Sequence, residues 1–273
     1  MDEVSEDFSG KVAVVLGGSS GIGQAAARRL ATGGAAVVIG GASPGRVAGT
    51  VAELRAAGHA VAGIAVDVRQ AGDIERIVAL AMETYGGIDI LVNSAGVQTY
   101  GTVVETDESL WDRTLDTNLK GMYLAARAVI PRMRQRGGGV IVNISSVQAF
   151  ASQKGVAAYV ASKGGINALT RAMAVDHAAE GIRVVSVCPA SVETPMLRHS
   201  ADLFKGDSTE TATLQAWGQM HPVGRIGQPA EIAELIAFLA GSRAAFITGA
   251  EYTIDGGMMA ALGVVLPGRV ESD

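Results

Sequence analysis

Short runs of β-branched and aliphatic residues alternate along the chain with longer Ala-rich stretches whose polar residues recur at helical spacing. The first run, 12–16, leads into a glycine-rich loop and an amphipathic stretch over 23–32 with Arg28 and Arg29 on one side, which predicts strand, loop and helix. Six more strands are predicted over 36–40, 61–66, 88–92, 140–144, 182–187 and 252–254. Most of these cores are apolar throughout, the pattern of strands covered by helices on both faces, and the segments between them are long enough for right-handed helical crossovers. The expected fold is α/β, a doubly wound, parallel, seven-stranded sheet with helices on both faces in one domain over 10–257. Between 190 and 227 the rhythm breaks into a poor strand sequence holding Met196, His199, Phe204, Trp217 and Met220. That segment suits a pair of helices and, lying after a strand's carboxyl end, a substrate lid. An acidic flexible tail is expected over 1–9 and a C-terminal extension over 258–273.

Composition narrows the function classes. The chain has 273 residues, 48% of them hydrophobic, with 27 acids against 22 Lys and Arg, enough for one large domain with an ample core. Four of the acids fall in the first ten residues, so the body is nearly neutral and a nucleic-acid surface is not expected. No apolar run approaches the ~18 residues of a membrane span, and the acidic amino terminus is unlike a secretory signal, so a cytoplasmic protein is expected. Cys188 is the single cysteine, which excludes an internal disulfide and a cysteine-based metal site. The four histidines, His59, His177, His199 and His221, lack metal-ligand spacing, and no metal is expected. Three read as surface or packing residues, while His199 is held open as a residue that the lid could carry over the site.

The loop after the first strand reads Gly17-Gly18-Ser19-Ser20-Gly21-Ile22-Gly23. Its amides and the amino terminus of the next helix can face a pyrophosphate, and glycine permits the close approach; a plain structural turn is the alternative. About 20 residues beyond such a loop a carboxylate normally takes the ribose of NAD, whereas an Arg accommodates the phosphate of NADP. Here the segment 39–46 has no acid and offers Ser43 and Arg46, which leans toward NADP over NAD; Arg46 as a solvated helix residue is the competing reading.

Three further features follow in order: Asn93-Ser94-Ala95-Gly96 after the fourth strand, Ser145-Ser146 after the fifth, and Tyr159-Val160-Ala161-Ser162-Lys163 on a helix. Tyr159 and Lys163, at i and i+4, project into one site. A carbonyl reduced by hydride develops negative charge on oxygen, which a phenol can protonate and a serine hydroxyl can stabilise. With the glycine loop and the spacing of Ser146 thirteen residues before Tyr159, the chain resembles the short-chain dehydrogenase/reductase family over most of its length, which implies a Rossmann-type fold and an NAD(P)-dependent oxidoreductase.

The resemblance implies that Tyr159 is the general acid/base, Ser146 the substrate-oxygen donor, Lys163 the activator of Tyr159 and a nicotinamide-ribose ligand, and Asn118 the anchor of a proton-relay water. It also implies cofactor contacts from Gly17, Ser19, Ser20, Gly21, Ile22 and Gly23, from Asp67 and Val68, from Asn93, Ala95 and Gly96, and from Pro189, Val192 and Thr194. Asp67 could otherwise be a helix cap. The sequence departs from the family pattern at Leu16, Ser94 and Ala190, none of them catalytic. Cys188, beside Pro189 at a strand end, reads as a small buried hydrophobe.

The substrate is expected to meet 97–100, 147–156 and the lid. Gln98, Gln148, Gln153 and Trp217 are the candidate contacts: the glutamines suit a polar substrate, whereas Phe150, Met196, Leu197 and Trp217 suit an acyl or ring surface. The chain is similar in general look to 3-oxoacyl-carrier-protein reductases and to sugar or polyol dehydrogenases, so the expected partner is a small-molecule carbonyl or alcohol, including a carrier-bound acyl thioester. Arg127, Arg132, Arg134 and Arg136 could meet an acidic carrier or form a solvated face. A homotetramer is implied, built through the helices of Asn118 and Tyr159 and through the last strand. An idle nucleotide-binding sensor or scaffold is the reading from another class, and the intact Tyr159 and Lys163 pair counts against it.

Overall fold

The computed structural model describes residues 7–262. Seven strands are present: β1 (Val12–Leu16), β2 (Ala36–Gly41), β3 (Val61–Ala65), β4 (Ile90–Asn93), β5 (Gly139–Ile144), β6 (Ile182–Pro189) and β7 (Glu251–Ile254). All pair in parallel, in the order β3-β2-β1-β4-β5-β6-β7. The expected strands are found with shifts of at most two residues at their ends: β4 starts at Ile90, and β6 runs on to Pro189 because that residue still registers with Ile254 of β7.

The helices are α1 (Gly21–Thr32), α2 (Pro44–Ala56), α3 (Ala71–Tyr85), α4 (Glu108–Leu115), α5 (Gly121–Gln135), α6 (Ala157–His177), α7 (Pro195–Phe204), α8 (Glu210–Gly218) and α9 (Pro229–Ala240). Alternation along each strand sends side chains to opposite faces. In β1, Ala13 and Val15 join the core layer under α1, α2 and α9 with Leu30, Val47 and Ile236. Val14 and Leu16 join the opposite layer under α3, α5 and α6 with Ile77, Leu124 and Met173. The double burial explains why these strands read as continuous apolar runs.

The chain runs from β1 outward through β2 and β3, then returns to the other side of β1 at β4. The crevice above the carboxyl ends of β1 and β4 is the switch point at which such sheets bind ligands. α7 and α8 form the expected helix pair between 190 and 227.

The amino-terminal boundary needs correction. Phe8 is buried in the core, and its amide donates to Gly33 O at 2.7 Å, so the packed domain begins before residue 10. The acidic residues at 2, 3 and 6 and most of the 258–273 extension lie outside the described residues; Met258–Ala260 forms a short helical turn. Among the described residues no helix is long and apolar enough to cross a membrane.

Candidate active site

A cleft of about 880 Å³ opens over the carboxyl ends of the sheet. Its floor begins at the loop between β1 and α1. Gly17 and Gly18 both donate to Gly40 O, at 2.8 and 3.0 Å, anchoring the loop to β2 through the backbone. Gly17 sits at φ +78, and a Cβ on it would lie 2.6 Å from Ala95 N. Ser20 precedes α1 without a side-chain cap, so the first amides of that helix keep no partner within it. An uncapped helix amino terminus beside a glycine cradle fits a pyrophosphate, and the cleft fits a dinucleotide on that observation. Ser19, Ser20, Gly21 and Ile22 line the cleft. Gly23 does not: a Cβ there would meet Gly17 O at 2.3 Å, so its part is to let the loop close on the helix.

At the far end β2 finishes in Gly41, where a Cβ would meet Ser19 Oγ at 2.5 Å; the absence of an acid at this strand end thus has a packing reason. Ser43 caps α2 by accepting from Arg46 N, and both residues line the cleft. Asp67 and Val68 line it as expected. The carboxylate of Asp67, however, is gripped by Arg69 through bonds of 2.7 to 3.1 Å, which holds its pKa below the usual range. Asp73 likewise accepts from Asp67 N and from Arg76. Arg69, Arg76 and Arg113 all line the cleft and escaped the sequence reading. The Asp67, Arg69 pair, two residues apart, was the one local signal that could have found them.

Ala95 and Gly96 form the wall after β4. Asn93 lies beneath it, nearly fully buried, with Nδ2 donating to Asn143 Oδ1 at 2.9 Å; Asn143 Nδ2 continues to Thr170 Oγ1. Asn93 therefore supports the wall and does not line the cleft. Asn118 is buried in a π-helical turn, Asp116–Lys120, between α4 and α5. Its Oδ1 accepts from Val97 N at 2.8 Å, while Nδ2 donates to Val97 O and Ser162 Oγ. Its side chain thus pins the loop after β4 to α6, outside the cleft lining.

The other end of the cleft joins β5, α6 and β6. Ser146, Tyr159 and Lys163 all line the cleft, and each is at most 7% exposed. Ser146 Oγ accepts from Gln148 N at 3.1 Å. Burial pushes the Tyr159 phenol up to about 12, against the opposing pull of a hydrogen bond from Ser146. Lys163 Nζ donates to Ile144 O at 2.9 Å and lies 5.4 Å from the Tyr159 ring centroid. Burial lowers its pKa to about 8. Pro189, Val192 and Thr194 complete the wall, and Thr194 caps α7 by accepting from Leu197 N.

Of the expected substrate contacts, Gln98 lines the cleft. Gln148 and Gln153 lie outside its lining and bond each other at 3.3 Å. Trp217 is on α8, also outside the lining, and His199 is exposed on α7. Cys188 is fully buried beside Asn167, its thiol pushed up by burial.

Two other residues tie the segment 190–227 to the core. Tyr100 donates to Ser200 Oγ on α7 at 2.6 Å and meets Phe204 edge-on. His221, 3% exposed, lies 3.0 Å by Nδ1 from Trp217 O and accepts from Ser191 N by Nε2 at 3.4 Å. Trp217 O can only accept, so the proton sits on Nδ1. His221 thereby links α8 to the segment that carries Val192.

A family model described as Enoyl-(Acyl carrier protein) reductase matches residues 17–259. The chain is 38% identical over 253 residues to dehydrogenase/reductase SDR family member 4 of Oryctolagus cuniculus, covering 92% of this chain and 95% of that protein. It is 39% identical over 260 residues to cis-4-hydroxycyclohexanecarboxylate dehydrogenase of Sinomonas cyclohexanicum, covering 94% and 100%. An actinorhodin polyketide ketoreductase solved with NADPH superposes with a TM-score of 0.86 at 37% identity, covering 91% and 97%. The chain belongs to the short-chain dehydrogenase/reductase family and is an NAD(P)-dependent oxidoreductase.

Proposed function

We propose that the protein interconverts a ketone and a secondary alcohol through Ser146, Tyr159 and Lys163. The observation that carries this reading is a buried phenol, hydroxyl and ammonium sharing one cleft with an uncapped helix amino terminus. A nicotinamide dinucleotide bound there supplies the hydride for reduction or accepts it in oxidation. Ser146 holds the carbonyl oxygen by hydrogen bonding, and Tyr159 gives that oxygen its proton as charge develops. With a pKa near 12, Tyr159 is protonated throughout the neutral range, the state that reduction needs. In the reverse direction Tyr159 takes the alcohol proton, and the Lys163 ammonium, present below about pH 8, favours the phenolate. The Asn118 side chain is committed to Val97 and Ser162. A relay water would therefore be held by main-chain oxygens of the π-helical turn, where the helical bonding is displaced.

NADP is the proposed preference. Gly41 offers no carboxylate to a ribose hydroxyl, and Ser43 and Arg46 stand beside it, where Arg suits a phosphate. The proposed reaction is 3-oxoacyl-type ketoreduction, supported by the apolar Val97, Met196 and Leu197 in the lining and by similarity to a polyketide ketoreductase. Docking of an acidic carrier draws less support, since Arg134 and Arg136 are paired with Glu180 and Asp89. Val175 on α6 and Phe246 before β7 are 81% and 105% exposed, apolar surfaces that a homotetramer would cover. Separate titrations with NADPH and NADH, followed by rates on 3-oxoacyl thioesters, ketoses and simple ketones, test the reading. Tight NADPH binding with ketone turnover is expected; binding without turnover of any carbonyl would leave the idle-sensor reading standing.

A further inference from the structure

Apart from Lys163, the charged side chains that line the cleft gather at one end of it. Arg46 follows β2, and Asp67, Arg69, Asp73 and Arg76 follow β3. Both strands lie on the far side of β1 from β5 and β6, and at about 4.8 Å per strand the ends of β2 and β5 are about 14 Å apart. Arg113, on α4, lies one helical turn before Asp116 of the adjoining π-helical turn, and Asp116 adds to the main effect of Asp67 in raising the pKa of Arg69; Arg113 belongs to the same end.

The loop after β4 and the segment after β6 add Val97, Gln98, Ala190, Met196 and Leu197 to the lining that holds Ser146 and Tyr159. Lys163, the charged group there, is held to Ile144 O behind the Tyr159 ring. The cations between 190 and 227 are ion-paired: Arg198 with Glu193 and Glu210, Lys205 with Asp202, and Arg225 with Glu231. Tyr100 is committed to Ser200. Gln98 is left as an uncommitted neutral group.

We propose that the enzyme selects ketones and secondary alcohols that carry no charge near the reacting carbon and rejects carboxylate-bearing analogues of the same shape. The inference rests on the ketoreductase reading above and specifies its substrate class. A carboxylate brought to this end loses water and finds no unpaired cation in the described cleft lining beside Ser146. It also opposes the negative charge that builds on the carbonyl oxygen beside Ser146. A neutral ring or acyl surface meets apolar walls instead, with one amide to hydrogen-bond.

The test measures kcat/KM of the full-length protein, with NADPH as reductant, for cyclohexanone, 4-oxocyclohexanecarboxamide and 4-oxocyclohexanecarboxylate, with a 3-oxoacyl thioester alongside. In each turnover the carbonyl carbon gains hydride, the oxygen gains a proton from Tyr159, and NADPH becomes NADP. The carboxylate is expected to fall at least about tenfold below the carboxamide, the loss that follows when a buried charge is left unpaired. Gln98→Arg, which places a cation at this end, is expected to narrow or invert that ratio. A carboxylate turned over as well as the carboxamide by the wild type, or an unchanged ratio in Gln98→Arg, overturns the inference and leaves the ketoreductase reading intact. Inertness toward every ketone, thioester included, overturns the ketoreductase reading and the inference with it.

Discussion

Lys163 stabilises the reaction, on the proposed mechanism, at a cost to the fold. Its ammonium is 5% exposed, and burial lowers its pKa from 10.5 to about 8. Below pH 8 it is charged in both folded and unfolded chains, and the folded state bears a penalty of about 3 kcal/mol, at about 1.4 kcal/mol per unit of pH. Between pH 8 and 10.5 the folded protein releases the proton while the unfolded chain still holds it, so stability rises with pH across that window. Lys163→Met removes the charge but strands Ile144 O, costing about 1 kcal/mol independently of pH. The variant is therefore expected to be about 2 kcal/mol more stable than wild type at pH 7 and about equal to it at pH 9.5, where the lysine penalty has fallen to about 1 kcal/mol. Urea unfolding of both proteins at the two pH values and one protein concentration measures this. A stability difference that does not change between pH 7 and 9.5 would refute the reasoning, whatever its absolute size. Turnover of the variant should be lost at both.

Gly23→Ala forces a Cβ against Gly17 O, backbone on both sides, so the loop must open; NADPH affinity by fluorescence titration should fall more than about tenfold, and the melting temperature should drop with it. Arg46→Ala should weaken NADPH binding about tenfold, the value of one charge-assisted contact, and leave NADH binding within about twofold by the same assay. His221→Leu deletes the two bonds that join Trp217 and Ser191, worth about 1 kcal/mol each; steady-state kinetics should show a several-fold higher KM for the cofactor with a smaller change in kcat.

What the sequence made legible was local or periodic. The strands could be read because both faces are covered, so hydrophobicity runs unbroken along each of them. Tyr159 and Lys163 could be paired because four residues make one helical turn. What it hid were partners distant in sequence. Asn93 reads as a cofactor contact until Asn143, fifty residues on, takes its amide. Asn118 reads as the anchor of a relay water until Val97 and Ser162 consume its side chain. Gln148 and Gln153 read as substrate contacts, yet they bond each other. His221 reads as packing, and only the fold brings Ser191 to it. Phe8 sits in an acidic, tail-like stretch, and nothing local announces that Gly33 will hold its backbone in the core. A spacing places a side chain on a face, whereas only the tertiary structure reveals whether its hydrogen bonds are already spent.

The central claim is that Tyr159 passes the proton in a nicotinamide-dependent reduction. Tyr159→Phe tests it most directly, since the ring and its packing against Lys163 remain while the hydroxyl goes. NADPH titration of wild type and variant, followed by single-turnover NADPH oxidation with the best ketone, should give dissociation constants within about threefold and a rate lower by about 10²- to 10⁴-fold in the variant. A variant that oxidises NADPH at the wild-type rate would contradict the account.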